Sequence, residues 1–334
     1  MDKKDLVPPG LSYLADNVRL KGNILGVSKQ DGATWAKRLN LPKKKETIFF
    51  AGCGYQFGSK LESLMGLIRK MDKSAIGAER AMELAGFQRK IGLDAGGVLL
   101  KVMGEGGEEG SVLTDTVKIL RKLGIDFGYL AEEEPCCGGI LHYAGLRNEF
   151  VEHARRVDAE LKSKGIKQII GIVPSCTYTL KKLMAETNGG VDFKVKHFCE
   201  IVAEKLQSLK LRFPQKVKVT YHDPCQLGRY LGLVDEPRKI LKAIENVELV
   251  ETKWTKAEYA TCCGGGGGFE AVFPEMSEML AVIRTKELLE TGAHIIVTHC
   301  PGCIMQLETG LKALKTENVE VLDLAQVVAM SMES

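Results

Sequence analysis

Nowhere in the 334 residues do about eighteen apolar residues run together, and no apolar stretch follows the N-terminal Met1-Asp2-Lys3-Lys4-Asp5. The first absence argues against a helical membrane span and the second against a secretory leader, so a cytoplasmic protein with reduced thiols is expected. Aromatic residues are sparse, at 6%, and no basic stripe interleaved with aromatics is present. Nucleic acid is therefore not an expected partner, although the net charge of +3 by itself decides nothing. The longest glycine run is not followed by Lys-Ser or Lys-Thr, which excludes a P-loop there. Ten cysteines are too few for a disulfide-stapled secreted domain of this length. In a reducing compartment, clustered cysteines point to ligands or catalysts rather than bridges. With 45% apolar residues the chain can build a core in each of two ordinary domains.

What the chain does have is the doublet Cys262-Cys263, running into five glycines, Gly264 to Gly268. A disulfide between direct neighbours needs a small strained ring, whereas neighbouring thiolates can both reach one metal centre. Thirty-six residues separate Cys225 from the doublet, and thirty-six separate the doublet from Cys300, which opens Cys300-Pro301-Gly302-Cys303. A cubane cluster takes four thiolates and a zinc ion takes four. Five sulfurs in the order C, CC, CxxC exceed either.

The hydrophobic pattern predicts where these sulfurs lie. Apolar runs at Thr47–Ala51, Ile125–Leu130 and Lys167–Val173 each lead to cysteine, at Cys53, Cys136-Cys137 and Cys176, with helical spacing over Arg147–Lys164. Runs at Val217–Tyr221, Val247–Val250 and His294–Thr298 lead in the same order to Cys225, Cys262-Cys263 and Cys300, with a helix over Glu275–Glu290. The chain therefore reads as α/β, two tandem Rossmann-like parallel-sheet domains related by internal duplication, with the cysteines gathered at strand C-terminal ends. The expected division is an N-terminal arm or connector over 1–45, a first domain over 46–213 and a second over 214–334, with Pro214 interrupting between the repeats. The repeats differ in two respects. Thr179 stands where Cys303 has its counterpart, and 82 residues lie between Cys53 and Cys136 against 36 in the second repeat. The excess reads as an insert over about 60–110, with helices at Leu61–Met71 and Ala78–Gly86 and a Gly-rich loop at Gly104–Gly110. The Leu61, Leu64, Met65, Leu67, Ile68, Met71 face of the first helix suits a cap on its own domain or a docking surface.

Gly138, Gly139, Gly264 and Gly265 let backbone approach a bound cluster and offer N–H groups to its sulfurs. Cys300 begins a helix, where the positive end favours thiolate. Taken alone, CxxC also suits a redox dithiol or half a zinc site, and the glycines a flexible turn. In duplicate and at matching spacing, a metal cluster is the reading that covers both. His222 is a candidate ligand, proton donor or hydrogen-bond partner of the Cys225 loop, and His142 a weaker version of the same case. His197, His299 and Cys199 read as packing or capping residues.

The stretch Tyr221-His222-Asp223-Pro224-Cys225-Gln226-Leu227-Gly228-Arg229, followed by Cys262-Cys263-Gly264 and Cys300-x-x-Cys303, resembles the cysteine-rich CCG-domain family of iron–sulfur proteins. That family includes the B subunit of heterodisulfide reductase, the C-terminal part of the D subunit, and iron–sulfur subunits of glycolate, lactate and glycerol-3-phosphate oxidoreductases. The resemblance covers about residues 20–330 and is specific for the family rather than for one activity. It implies a non-cubane [4Fe-4S] cluster held by Cys225, Cys262, Cys263, Cys300 and Cys303. It also implies a second [4Fe-4S] cluster, variant or cubane, at Cys53, Cys136, Cys137 and Cys176, where Thr179 replaces the fifth thiolate. In the reductases two such clusters flank a disulfide and take one sulfur each. The segment Asn17–Leu39 resembles the connector that follows a two-cluster ferredoxin domain in larger members. Without that domain here, electrons are expected from a ferredoxin-like iron–sulfur subunit and a flavoprotein subunit. The expected function is the disulfide-reducing subunit of such a complex, active only within it, on a small disulfide substrate. An electron-relay subunit without disulfide chemistry and a structural zinc scaffold are the alternatives.

Overall fold

The computed structural model describes residues 7–72 and 111–332. Four parallel strands form the first sheet: β1 (Thr47–Phe50), β2 (Gly128–Tyr129), β3 (Gln168–Gly171) and β4 (Lys194–His197), in the order β2-β1-β3-β4. The second sheet repeats that permutation with β5 (Arg212–Tyr221), β6 (Glu245–Leu249), β7 (Ile295–Thr298) and β8 (Glu320–Asp323), in the order β6-β5-β7-β8. Two α/β units with one strand order are what the duplicated sequence pattern requires.

The strand sequences explain their places. Ile48, Phe49 and Phe50 in β1 and all four residues of β7 are buried, as expected of inner strands covered on both faces by helices. The edge strand β6 carries Glu245 and Glu248, charges that discourage pairing with another chain. Helices Arg147–Ser163 and Pro274–Leu289 occupy equivalent places after the two doublets, within one residue of the predicted ends.

Three details depart from the sequence pattern. The expected strand over 125–130 contracts to Gly128–Tyr129, because Tyr129 N–H bonds the Pro42 carbonyl at 2.9 Å. A Cβ on Gly128 would lie 2.4 Å from that same oxygen. Pro214 does not interrupt the chain but lies inside β5, which begins at Arg212. The pairing of β5 with β6 shifts register between Arg212 and Val217, and such an irregularity accommodates a residue without an N–H. The expected arm is docked on the body: helix Pro9–Lys21 buries Tyr13, Leu14, Ala15 and Val18 and packs against helices of both halves, Gly139–Tyr143 and Phe269–Val272. It ends at Gly22, whose φ of 69° is the left-handed cap that glycine supplies. Beyond it, Trp35 packs edge-on to Phe49 and bonds the Tyr129 hydroxyl at 3.2 Å.

The helix Gly58–Asp72 contains the predicted Leu61–Met71 segment. Met65 is buried, and Leu61 and Leu64 pack against the core. This helix reaches the second half, touching Phe269–Val272 and Pro274–Leu289. These three residues therefore pack inward, and the helix caps a neighbour as well as its own half. The predicted helix at 78–86 and the loop at 104–110 lie outside the described residues. Helix Leu324–Ser331, from the second half, packs on Ser111–Lys122 of the first, so one hydrophobic core runs through both. Among the described residues no helix is long and apolar enough to cross a membrane.

Candidate metal centres

All ten cysteines are free thiols, and nine of them fall into two groups at the C-terminal ends of the strands. In the first half β1 delivers Cys53, the segment after β2 delivers Cys136 and Cys137, and the helix after β3 begins at Pro174 and carries Cys176. Cys53 Sγ lies 3.9 Å from Cys136 Sγ, and Cys137 Sγ lies 3.4 Å from Cys176 Sγ. All four are buried.

Glu134, two residues ahead of Cys136, joins these loops. Its buried carboxylate accepts the N–H of Ala51 at 2.8 Å, the N–H of Gly52 at 2.9 Å and the Gln56 amide at 2.9 Å. Burial pushes its pKa up to about 8 despite those donors. Glu134→Ala leaves two buried N–H groups of the Cys53 loop without partners, each costing roughly 1–3 kcal/mol. Urea unfolding is expected to show that loss, and a variant as stable as the parent would remove Glu134 from this role. Behind the doublet, Arg156 Nη2 donates to His153 Nδ1 at 2.9 Å, so His153 Nε2–H is the donor to the Cys136 carbonyl at 2.7 Å.

Thr179 sits within this first centre. A Cβ on Gly139 would stand 2.7 Å from its Oγ1 and 3.7 Å from Cys137 Sγ. Its hydroxyl donates to the Ser175 carbonyl at 2.8 Å, the ordinary back-bond of a helical threonine. The helix there widens into a π turn, Thr179–Leu183, and the second half carries its own π turn at Gln226–Tyr230, directly after Cys225.

In the second half, Cys263 Sγ lies 3.3 Å from Cys303 Sγ. A ring nitrogen of His222 joins them, the three ligand atoms all lying within 4.8 Å of one another. Cys225 is shifted up to about 11, first by burial and then by the sulfurs of Cys300 and Cys263, which places all three in one electrostatic group. The neighbouring Cys262 and Cys303 sulfurs lower the Cys263 thiol below the usual range. Gly264 N–H lies 3.4 Å from Cys262 Sγ. Gly264 itself has φ 86°, and a Cβ would strike the Ser277 carbonyl oxygen at 2.4 Å. Cys263 and Cys303 are buried, Cys225 and Cys300 half-buried, and Cys262 exposed.

His222 is 1% exposed, and its Nδ1 accepts from Arg284 Nε at 3.0 Å. Asp223 forms a two-pronged ion pair with Arg238, at 2.7 and 2.9 Å, and accepts the Ala257 N–H at 2.8 Å, fixing the loop that presents Cys225. His142 is not in either group; its ring packs edge-on to Tyr143 and Phe150. His197 caps helix Phe198–Glu204, which carries the buried Cys199. His299 bonds Asp323 at 2.8 Å, and Asp323 also takes the Tyr55 hydroxyl from across the seam between the halves. At that seam a Cβ on Gly54, next to Cys53, would lie 2.5 Å from Cγ of Pro301, next to Cys300.

Sequence reasoning passed over Glu134 and Arg284. Glu134 was concealed in the acidic trio Glu132–Glu134. Arg284 did leave a signal, since it shares the helix register of the apolar Ala281 and Leu288, and all three are buried.

Two parallel α/β units, each gathering thiols at one sheet edge, define a duplicated cysteine-rich fold. The model of the cysteine-rich domain, CCG, matches residues 103–181 and 219–308, once in each half and over half the chain, and this protein belongs to that family. The D subunit of dihydromethanophenazine:CoB–CoM heterodisulfide reductase from Methanosarcina barkeri is 35% identical over 229 residues, covering 65% of this chain and 54% of that protein. EtfAB:quinone oxidoreductase of Syntrophomonas wolfei is 36% identical over 230 residues, covering 65% of this chain and 31% of that protein. The B subunit of fumarate reductase (CoM/CoB) from Methanothermobacter marburgensis is 29% identical over 218 residues, covering 64% and 42%. The chain thus matches about a third to a half of the length of these relatives.

Proposed function

We propose that this chain is an iron–sulfur subunit of a multi-subunit oxidoreductase, reducing a small disulfide at the second centre with electrons relayed through the first. The observation that carries the reading is the unequal exposure of the centres: Cys225, Cys262 and Cys300 reach solvent, whereas Cys53, Cys136, Cys137 and Cys176 are all buried. A relay works inside protein. A centre that must meet a substrate's sulfur has to expose its own, and among the described residues the second exposes more.

The residues present suit a cluster at both places. Their donor sets are sulfur, which selects iron–sulfur centres, zinc or copper(I). Glycines keep space beside the sulfurs: a Cβ on Gly52 would lie 3.1 Å from Cys176 Sγ, and one on Gly302 4.0 Å from Cys300 Sγ. Cys225, Cys262, Cys263, Cys300 and Cys303 would hold a non-cubane [4Fe-4S] cluster, and Cys53, Cys136, Cys137 and Cys176 a second, variant or cubane one. Bound clusters supply electrons one at a time. The chain holds them, burying the sulfurs of the first and leaving part of the second exposed. Breaking the S–S bond of a disulfide gives two thiols and takes two electrons, from the donor subunits, and two protons, from solvent at the open face. A ferredoxin-like subunit and a flavoprotein are the donors this reading requires. The relatives' names carry different acceptors, so the disulfide rests on the open sulfur face and not on likeness.

Anaerobically purified protein is expected to hold about eight iron per chain, as two four-iron clusters. Addition of the disulfide substrate to the oxidised or half-reduced protein should change the EPR signal of one cluster and leave the other alone. Zinc without iron would overturn the cluster reading, and two signals indifferent to every disulfide tried would leave a pure relay in its place.

A further inference from the structure

We infer that His222, its tautomer fixed by Arg284, offers its Nε2–H to the Cys263–Cys303 sulfur pair when those sulfurs carry a cluster, and that this donor raises the reduction potential of the second centre. The inference rests on the proposed function for the presence of the clusters. It adds a residue that tunes the second centre.

The geometry leaves little choice of proton. Arg284 is fully buried, and guanidinium nitrogens only donate, so the 3.0 Å contact from its Nε makes His222 Nδ1 the bare acceptor. The ring's proton is then on Nε2. That nitrogen is buried and makes no hydrogen bond with the described residues. Since Nδ1 is taken, Nε2 is the nitrogen left for Cys263 and Cys303 Sγ, which lie with the ring within the 4.8 Å group. A buried donor without an acceptor costs free energy, and sulfur carrying negative charge is the acceptor at hand. Arg284 is held in turn by Glu287 at 2.7 Å and Thr255 at 3.0 Å, and the His222 backbone by N–H to Val297 carbonyl at 2.8 Å and carbonyl to Thr298 hydroxyl at 3.0 Å. The ring cannot swing away without breaking this set.

Among the described residues the first half has no imidazole donor to its sulfurs, which instead meet the backbone N–H groups of Ile24, Gly138 and Gly139. Three residues ahead of Cys53, where His222 precedes Cys225, stands Phe50, fully apolar and 1% exposed. The imidazole behind its doublet, His153, directs Nε2–H at the Cys136 backbone carbonyl. Reduction adds negative charge to a centre, and an N–H aimed at ligand sulfur stabilises the reduced form. The imidazole N–H therefore raises the potential of the second centre above what its thiolates alone would set.

The test is an EPR-monitored redox titration of the whole, anaerobically purified chain. His222→Phe copies the first half and should lower the potential of the second centre, leaving that of the first in place. The expected change is at least tenfold in its reduced-to-oxidised ratio at fixed potential, about 59 mV for one electron. His222→Gln, which keeps an N–H donor, should recover part of the shift, and Arg284→Met, which frees the tautomer, should fall between. In the unsubstituted protein, electron–nuclear spectroscopy with 15N-histidine should show a weak coupling through sulfur. A strong coupling would mean direct ligation to iron and overturn the inference. So would unchanged potentials in His222→Phe at full iron content, or equal loss of iron in the Phe and Gln variants. Absence of iron from the unsubstituted chain would remove the cluster reading itself, and this inference with it.

Discussion

Cys303→Ser is expected to bring the iron content from about eight to about four per chain and to abolish one EPR signal while sparing the other. Cys303 is buried, its sulfur 3.3 Å from that of Cys263. A serine hydroxyl there remains protonated and is a poor ligand for iron. Cys176→Ser should produce the mirror result, since its sulfur lies 3.4 Å from Cys137 and has no place in the second group. Metal analysis and EPR on the two variants side by side read the assignment directly. If either substitution erased both signals, the centres would not be separate; if neither did, the ligand sets would be wrong.

Asp223→Ala is expected to cost about 3 kcal/mol of stability and to strip iron from the second centre. The side chain is 3% exposed and holds Arg238 with both oxygens, so its removal leaves a buried guanidinium facing an apolar gap. The estimate stays at the lower end for a broken buried pair because Glu251 still contacts Arg238 at 2.7 Å. The loss also frees the Ala257 N–H and the loop carrying Cys225. A lower urea midpoint at unchanged slope would report it. A midpoint equal to the parent's would show that Arg238 and Glu251 suffice to hold the loop.

The repeat was legible because each cysteine is tied to a local signal, an apolar run that ends at a strand's C-terminal edge. Cys53 after Phe49-Phe50 and Cys300 after Ile295–Thr298 needed only neighbouring residues to be placed. Pro214 misled because proline marks a break in most strands, and only the shifted register between β5 and β6 accommodates it. The docking of Pro9–Lys21 was beyond sequence pattern, since its partners come from residues 139–143 and 269–272 at once. The same holds for exposure. Nothing in the spacing of the two doublets distinguishes an enclosed centre from an open one, because enclosure depends on which distant loops fold over it.

At the seam, Gly54 follows Cys53 and Pro301 follows Cys300, and these two residues touch with no room for a side chain on the glycine. Tunnelling between redox centres weakens exponentially with the thickness of the medium between them. A bare glycine against a proline ring keeps the medium between the Cys53 loop and the Cys300 loop thin at that point. The duplication then gives the protein more than two similar sites: it brings a loop of each into direct contact at the seam.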